Sequence, residues 1–429
     1  MEKIIELKID KIIYNGYSIG KNDGITIFTR WGVPGDIVKV EIIEKKRNYY
    51  SGRIVQILKE SESRIKAQCP YFEKCGGCHL QNISYETQLA IKESFVKEAL
   101  ERYKTNKNIK VYPIIRPDNI FRYRNKAQLP VKNEKIGFYS MNSHKIVRLM
   151  NGCLIQEDII SKNIRILNKI AAKGGLSKHI KHIVLRKDTE GVYIIIITDK
   201  LLKEFPVVEE LKNIIGVYQS VKENKSNKIM GDQFIYYMGE KYLRVKYFND
   251  IFEVYPWSFL QVNDEMAEKL YEKAMEYIEP DKNSVVLDGY SGVGILSMII
   301  AKRVKRVYAV EYEPMSVVSL GMNMQKKGIE NIRPYQGDIE EVLTKNRKIK
   351  FNRVIIDPPK KGLTEGVIRE IIKRRPERIV YISCNPQTLV RDLDRFISVG
   401  NYRCKAIQPF DMFPQTFHLE NIAVLESKR

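Results

Sequence analysis

Cys384 and Glu420 are the two residues of this 429-residue chain whose types and setting indicate covalent chemistry. Cys384 directly follows the hydrophobic run Arg378–Ser383, which predicts a buried strand, and Asn385-Pro386 comes next. A cysteine presented at the end of a strand supplies a nucleophile, and a carboxylate from a later segment supplies a base. Because a cysteine in such a position is more often a packing residue, its function depends on the segments that surround it.

The first of these segments is the run Val285–Gly294, in which a predicted apolar strand leads into a glycine-rich turn, and the apolar helix Ile295–Ala301 follows. Glycines let the backbone approach a bound nucleotide, so this succession predicts the opening of a doubly wound nucleotide site. Glu311 follows a second predicted strand, Arg306–Val310, where an acid holds ribose hydroxyls. The dinucleotide pattern G-x-G-x-x-G is absent. A nucleoside without phosphates, such as S-adenosylmethionine, is therefore favoured over NAD.

Further motifs stand in order around this turn. They are Phe259-Leu260-Gln261-Val262-Asn263, Asp357-Pro358-Pro359, Ser383-Cys384-Asn385-Pro386 and Gln415-Thr416-Phe417-His418-Leu419-Glu420. Together they resemble the RNA uracil-C5 (5-methyluridine) methyltransferase family, and within it the cluster-bearing 23S rRNA subgroup with an N-terminal TRAM domain. The resemblance implies a Rossmann-like catalytic domain that uses S-adenosylmethionine.

The resemblance also implies a role for six residues. Cys384 is the nucleophile and Glu420 the base, and the methyl donor is contacted by Gln261, Tyr290, Glu311 and Asp357. The chemistry accounts for the first pair, because carbon 5 of uracil becomes nucleophilic only after a thiolate adds at carbon 6. A carboxylate can then remove the proton from carbon 5. Since only a thiolate attacks well, we expect positive charge or helix amides to lower the pKa of Cys384.

Three of the six cysteines lie close together, Cys69, Cys75 and Cys78. Closely spaced cysteines in a cytosolic chain indicate a metal rather than disulfides, and Cys153 is the candidate fourth ligand. Spacing does not identify the metal, so zinc held by four cysteines and an iron–sulfur cluster are both open. The resembled subgroup carries a [4Fe-4S] cluster on this pattern of cysteines, which implies a cluster here with a structural or RNA-orienting role.

The chain is predicted to be an α/β protein of three domains. Residues 1–58 form a small OB-like β-barrel that resembles the TRAM RNA-binding domain, residues 59–250 a central α+β domain with the cysteine loop, and residues 251–429 the Rossmann-like methyltransferase domain. In the barrel, β-prone runs between turn residues predict strands over Lys11–Tyr14, Gly24–Thr29, Ile37–Ile43 and Gly52–Ile57. A helix is predicted over Tyr85–Tyr103.

The charge balance favours a polyanionic partner. Lys and Arg number 73 against 52 Asp and Glu, a formal net charge of +21. With the resemblance, we expect RNA, above all 23S ribosomal RNA, no membrane and no obligate protein partner; a lysine-rich solvated surface is the alternative. The first residues do not form a signal peptide, and the longest aliphatic run is Ile194–Ile197. We therefore expect a soluble, cytoplasmic protein.

Other functions use parts of the same pattern. A tRNA uridine-C5 methyltransferase is the nearest alternative, and a noncatalytic RNA-binding protein with this fold is disfavoured by the presence of Cys384 and Glu420. Adenine-N6 methyltransferases also carry Asp-Pro-Pro, but normally with an aromatic residue next, where this chain has Lys360. RNA cytosine-C5 enzymes commonly place a cysteine after a proline at that turn, which this chain lacks.

Overall fold

The structure is a computed structural model, and it describes residues 4–103, 109–222, 229–231 and 233–428. The described residues form three large sheets of six, seven and eight strands and one small sheet of two strands. Among the helices of these residues, none combines the length and the apolar composition that a membrane span requires. The α/β fold class is confirmed, whereas the domain boundaries at residues 58 and 250 stay predictions.

The first sheet has the strand order β1-β5-β6-β4-β3-β2. Its strands are β1 (Ile4–Lys8), β2 (Lys11–Ile12), β3 (Ser18–Asn22), β4 (Ile25–Thr29), β5 (Ile37–Lys45) and β6 (Tyr49–Lys59). Each predicted run contains a strand, but the sequence does not predict β1 or β3. Gly20 shows why, because a Cβ at this position would lie 2.0 Å from the Lys8 carbonyl oxygen. Close approach of neighbouring backbone, rather than β propensity, thus specifies β3.

Helix α1 (Tyr85–Leu100) and strand β7 (Lys110–Val111) follow the cysteine loop, and α1 ends at Leu100 rather than at the predicted Tyr103. The central sheet comes next, in the order β10-β9-β8-β11-β12-β13-β14. Its elements are β8 (Lys126–Lys132), β9 (Lys135–Tyr139), β10 (Ile146–Arg148), α2 (Asp158–Ala172), β11 (Ile180–Lys187), β12 (Val192–Thr198), β13 (Ile214–Val221) and β14 (Gln233–Gly239). The two-stranded sheet pairs β15 (Leu243–Tyr247) with β16 (Asp250–Val254).

The last sheet has the order β19-β18-β17-β20-β21-β23-β22-β7. Its elements are α3 (Asp264–Ile278), β17 (Val285–Gly289), α4 (Ile295–Ala301), β18 (Arg306–Glu311), α5 (Pro314–Lys327), β19 (Ile332–Gln336), α6 (Ile339–Lys345), β20 (Arg353–Ile356), α7 (Glu365–Arg374), β21 (Arg378–Ser383), α8 (Pro386–Gly400), β22 (Tyr402–Phe410) and β23 (Glu420–Ser427). Strands β17 to β21 are parallel, and β23 runs antiparallel to β21. The carboxyl ends of the parallel strands therefore lie at the same edge as the amino end of β23.

The central and last sheets share a hydrophobic core. Every residue of β12 is buried, and its odd-numbered residues, such as Ile195, join a cluster that includes Leu270 and Val286 of the last sheet's domain. Its even-numbered residues, such as Ile194, pack in a second cluster with α2. Successive side chains of a strand point to opposite faces. Because both faces of β12 are buried, its sequence is a continuous apolar run.

A buried ion pair joins α1 to the loop between β22 and β23. The Lys92 ammonium lies 2.5 Å from an Asp411 carboxylate oxygen and donates to the Phe413 carbonyl at 3.0 Å. Both side chains of the ion pair are fully buried. Tyr85 donates its hydroxyl to the second Asp411 oxygen at 2.8 Å. The Asp411 carboxylate is thus paired and hydrogen-bonded, which a buried charge requires.

Lys92→Met should destabilise the protein strongly. The substitution keeps the apolar stem but leaves the Asp411 carboxylate without its cation, and loss of one partner of a buried pair costs about 3–5 kcal/mol. Urea unfolding followed by circular dichroism would measure the change. The matched control is Lys97→Met on the same helix, where the ammonium is exposed and its pair with Glu93 is 3.5 Å long; there we expect a change of less than about 0.5 kcal/mol. Equal unfolding midpoints for the two variants would contradict the proposed contribution of the Lys92–Asp411 pair to the free energy of unfolding.

Candidate active site

One cavity of about 1590 Å³ lies at the carboxyl edge of the parallel strands. Its lining includes all six residues that the sequence predicts for the catalytic and donor-binding roles: Gln261, Tyr290, Glu311, Asp357, Cys384 and Glu420. The topology explains the meeting of the last two. Ser383 at the end of β21 pairs with Asn421 near the start of β23. Cys384, which follows Ser383, and Glu420, which precedes Asn421, therefore lie at the same edge of the sheet. The roles of the six residues stay predictions.

The glycine-rich turn after β17 forms one wall of this cavity. Tyr290, Gly292 and Gly294 have positive φ angles of 64°, 56° and 77°, a conformation that glycine adopts most easily. The two carboxylate oxygens of Glu311 accept hydrogen bonds from the backbone amides of Gly292 at 2.8 Å and Glu313 at 2.7 Å. The acid is therefore held in place beside the turn, as a residue that binds ribose hydroxyls needs to be.

Gln261 lies in a segment that buried polar side chains hold in position. The Asn125 amide donates to the Gln261 carbonyl at 3.1 Å, and the fully buried Arg186 donates to the carbonyls of Pro256 and Ser258. Asn263 caps α3 by accepting a bond from the Met266 amide at 3.3 Å. The backbone of this segment is thus fixed by the central domain on one side and by the helix on the other.

Three buried acids crowd the centre of the cavity. Burial, together with the charge of Glu311, raises the pKa of Asp288 to about 7. Burial and the charge of Asp288 raise the pKa of Asp357 to about 7, and burial and the charge of Asp357 raise the pKa of Glu420 well above its ordinary value. Like charges at close range disfavour simultaneous ionisation. The cavity is therefore suited to a ligand that brings positive charge.

The environment of Cys384 corrects one expectation. Burial, followed by the charges of Glu420 and Asp357, raises the pKa of the Cys384 thiol to about 12, and Lys360 opposes this with a smaller effect. The prediction of a lowered thiol pKa is wrong for the protein without ligands, because the fold surrounds the sulfur with carboxylates. The Cys384 carbonyl accepts a hydrogen bond from the Tyr14 hydroxyl at 2.8 Å, so the first sheet reaches the nucleophile.

In the loop before Glu420, Pro414 and Gln415 accept hydrogen bonds from distant parts of the chain. The Gln415 carbonyl accepts from the amides of His79 at 2.9 Å and Leu80 at 3.1 Å. The Gln415 side chain accepts from Gln88 at 3.1 Å, and the Pro414 carbonyl accepts from the Tyr123 hydroxyl at 2.9 Å. Gln415 has a positive φ of 69°, and these bonds hold it in that conformation.

The four cysteines predicted as ligands line a second cavity, of about 490 Å³; they are Cys69, Cys75, Cys78 and Cys153. Burial, and after it the charge of Cys153, raises the pKa of the Cys78 thiol. Within the described ranges, no group of three or more His, Cys, Asp or Glu side chains is arranged to hold a metal ion. The structure thus brings the four thiols to one cavity, and the metal that they bind stays a prediction.

Two residues that lie close to Cys384 are not predicted from the sequence. Tyr14 is 370 positions away from Cys384, so no local pattern connects them. Lys360 directly follows the Asp-Pro-Pro turn and lines the cavity. Its charge lowers the pKa of Cys384, and its carbonyl accepts from Asn385 at 3.2 Å. A lysine adjoining a motif is visible in the sequence, but its distance from the cysteine is not.

The strand order, the glycine-rich turn and the cavity define a Rossmann-like methyltransferase. Comparison with known proteins then gives its family. The tRNA (uracil-5-)-methyltransferase model matches residues 84–428, and the TRAM domain model matches residues 3–55. The chain belongs to this uracil-5-methyltransferase family, is an RNA methyltransferase, and carries an N-terminal TRAM domain, as predicted.

Individual relatives agree with the family. The chain is 34% identical to an uncharacterized RNA methyltransferase of Halalkalibacterium halodurans, over 99% of this chain and 97% of that protein. It is 37% identical to one of Caldanaerobacter subterraneus, over 98% and 97%. A solved structure similar to this fold is the Pyrococcus abyssi tRNA (uracil-54, C5)-methyltransferase in complex with S-adenosyl-L-homocysteine. Its TM-score is 0.79 at 26% identity, with 98% of this chain and 100% of that chain covered.

Alkylation of the ligand-free protein should report the raised thiol pKa. Iodoacetamide reacts with thiolates, so a thiol pKa of about 12 should make the reaction of Cys384 slow near neutral pH and about tenfold faster for each unit of pH up to roughly pH 10. Glu420→Gln removes a charge that raises this pKa and should speed alkylation at alkaline pH. Peptide mass spectrometry separates Cys384 from the other thiols. A rate in the unsubstituted protein that stops rising below about pH 8 would contradict the raised pKa.

Proposed function

We propose that the protein methylates carbon 5 of a uridine in 23S ribosomal RNA, with Cys384 as nucleophile and Glu420 as base. The observation that carries the proposal is the shared cavity, which a thiol, a carboxylate and the glycine-rich turn all line. A noncatalytic RNA-binding protein would have no use for a partly buried thiol beside a buried acid. S-adenosylmethionine supplies the methyl group when bound, and Gln261, Tyr290, Glu311 and Asp357 are the proposed contacts.

The residues of the chain would act in a defined order. The Cys384 thiolate adds to carbon 6 of the uracil ring, and the electron pair of the ring's double bond moves to carbon 5 and its neighbouring carbonyl as an enolate. Carbon 5 takes the methyl group as its bond to the sulfonium sulfur breaks, and the electron pair of that bond would stay on the sulfur, leaving a neutral thioether to depart. Glu420 then removes the proton from carbon 5, the double bond forms again, and the bond between carbon 6 and the Cys384 sulfur breaks. The thiolate is released, and Glu420 carries the proton away.

The raised pKa values are compatible with this order. A sulfonium donor is positively charged, and a positive charge near a thiol or a carboxylate favours the ionised form. The acids that surround Cys384 would therefore hold the thiol protonated before the donor binds and allow it to ionise afterwards. Such an arrangement protects the sulfur from alkylation and oxidation, because both reactions need the thiolate.

The donor set fits the two groups that the family resemblance implies. In the donor cavity, the Ser291 hydroxyl is buried and has no hydrogen-bond partner among the described residues, which leaves it available to a bound nucleoside. In the cysteine cavity, four thiols are the ligand set of a [4Fe-4S] cluster, and Cys69, Cys75, Cys78 and Cys153 would hold it. The cluster would cross-link the loop before α1 to the segment between β10 and α2. Zinc on the same thiols is the alternative.

Two observations bear on which RNA is modified. The pattern of four cysteines resembles the subgroup that acts on 23S ribosomal RNA, and this supports the proposal. The matching family model is named for tRNA, and so is the similar structure from Pyrococcus abyssi. A transfer RNA is accordingly the second candidate. Either substrate would present an unstacked uridine, because the reacting carbon is inaccessible within a continuous duplex.

Glu420→Gln should trap the RNA on the protein. Without the base, addition and methyl transfer can occur but elimination cannot, so a covalent adduct that survives denaturing electrophoresis should accumulate in cells expressing the variant. Mass spectrometry should find a methylated uridine joined through carbon 6 to Cys384. Sequencing of the attached RNA distinguishes ribosomal RNA from transfer RNA.

The double variant Cys384→Ala, Glu420→Gln is the control for this trap and should give no adduct. An unmethylated adduct would mean that Glu420 acts before methyl transfer. Normal turnover without any adduct would remove Glu420 from the mechanism.

Anaerobically purified protein should be brown, with broad absorption at about 400 nm and about four iron atoms per chain. Cys75→Ser should lose both, because it removes one proposed ligand. Cys404→Ser is the matched control, since Cys404 does not line the cysteine cavity, and it should keep its iron. Stoichiometric zinc without iron would exclude the cluster while retaining the site.

A further inference from the structure

A third cavity lies where the three parts of the chain meet, apart from the active site. Its volume is about 560 Å³, and we call it the junction cavity. The first sheet, the cysteine loop, the end of strand β9 and the loop before Glu420 each contribute to its lining, which consists of Asn15, Tyr17, Arg30, Gly76, Gly77, His79, Phe138–Asn142 and Phe417. None of these residues has a role in the proposed methyl transfer.

The polar groups of the junction cavity are suited to a planar ligand. The Arg30 guanidinium lies 3.8 Å from the centre of the Tyr17 ring and donates to the Asn142 side chain at 3.4 Å. The Asn142 amide donates to the Tyr17 hydroxyl at 3.5 Å. Bonds of these lengths are longer than the usual N–H···O range of about 2.7–3.2 Å and are therefore weak. A ligand could therefore replace them at small cost.

His79 adds a second, independent sign of a ligand. Its Nδ1 atom is buried and has no hydrogen-bond partner within the part of the chain that the structure describes. His79 lines the junction cavity, and a buried polar atom without a partner is expected to have a bound group opposite it.

The junction cavity is also close to the catalytic loop. Phe417 lines it and precedes Glu420 by three positions. Gly16, at a turn of the first sheet, has a φ of 76°, and a Cβ added there would lie 2.8 Å from the Phe417 ring. A strand of RNA that enters the active site would therefore pass near the cavity with a neighbouring nucleotide.

We propose that the junction cavity binds a second unstacked base of the substrate RNA, close in sequence to the modified uridine. The inference rests on the proposed function and extends it to the recognition of a flanking nucleotide. Aromatic rings and an arginine plane are the surfaces on which unstacked bases stack. Asn142 and His79 line the cavity with polar side chains that can hydrogen-bond to the edge of a base. Tyr139, whose side chain is 38% exposed, offers the open aromatic face.

A phosphate group fits the same cavity poorly. Arg30 is the only Lys or Arg in the described lining, and it is already stacked on Tyr17. Phe138, Met141 and Phe417 contribute apolar surface, which stabilises a base but not an anion. The chemistry of the lining therefore favours base recognition over backbone contact.

The test uses an RNA stem-loop of about 20 nucleotides centred on the uridine recovered from the trapped adduct. Tyr139→Ala and Asn142→Ala should each raise the Kd for this RNA, by about tenfold for the tyrosine, since a stacked base contributes about 1–3 kcal/mol. A series of stem-loops, each with one abasic position, locates the base. At one position, loss of the base should weaken binding to the unsubstituted protein about tenfold. The same abasic RNA and the intact RNA should bind Tyr139→Ala equally well, because that variant has already lost the contact with the base.

Lys39→Met is the matched control, because Lys39 is exposed on β5 and does not line the junction cavity. It should change the Kd by less than about threefold. Affinity for S-adenosylmethionine should be the same in all these proteins, which shows that each is folded. Two results would overturn base recognition. One is an equal loss of affinity at every abasic position, both in the unsubstituted protein and in Tyr139→Ala. The other is weaker RNA binding by Arg30→Met when no abasic position affects the affinity. If the unsubstituted protein forms no 5-methyluridine in the stem-loop, the proposed function fails instead.

Discussion

The buried ion pair between Lys92 and Asp411 is the interaction on which the position of Glu420 depends. It joins helix α1, which directly follows the cysteine loop, to the segment that leads into Glu420. A fully buried pair of charges has no stabilising value unless both partners stay in place. The loop therefore cannot move away from the helix without a large cost in free energy. Gln88 and Tyr123 add neutral hydrogen bonds to the same loop, so the base is held at several points.

The direction of one strand explains the arrangement of the active site. Parallel strands present their carboxyl ends at one edge, where Asp288 near the end of β17 lines the cavity together with Asp357 and Cys384, which directly follow β20 and β21. Strand β23 runs in the opposite direction and begins with Glu420 at the same edge. The topology that brings Glu420 and Cys384 together also places two acids, Glu420 and Asp357, close enough to raise the pKa of the thiol. The raised pKa values of these groups are thus a consequence of the fold that any ligand with positive charge would relieve.

Much of the last sheet could be predicted from the sequence because its elements are short apolar runs between turns. Ile295–Ala301 and Arg378–Ser383 are found with the predicted bounds, and a strand begins the run Val285–Gly294 as predicted. Local patterns fail where long-range contacts decide. Strand β3 exists because two other strands pair with it, and Tyr14 reaches Cys384 across most of the chain. The prediction for the pKa of Cys384 has the wrong direction for a related reason. This pKa depends on burial and on the charges of Glu420 and Asp357, which come close to the thiol only in the folded protein.

The contact between the first sheet and the catalytic loop means that RNA binding and chemistry are not independent in this protein. The Tyr14 hydroxyl donates to the carbonyl of the nucleophile, and the Tyr14 ring packs edge-on against Phe417 at 5.9 Å. Gly16 leaves no room for a side chain against that same ring. A TRAM domain that only increased affinity for RNA could be attached by a flexible linker. Here the first sheet contacts Cys384 and the loop before Glu420 directly. Under the proposed function, RNA bound to the first sheet would be held in a fixed position relative to Cys384, which lowers the entropic cost of bringing the uridine to the thiol.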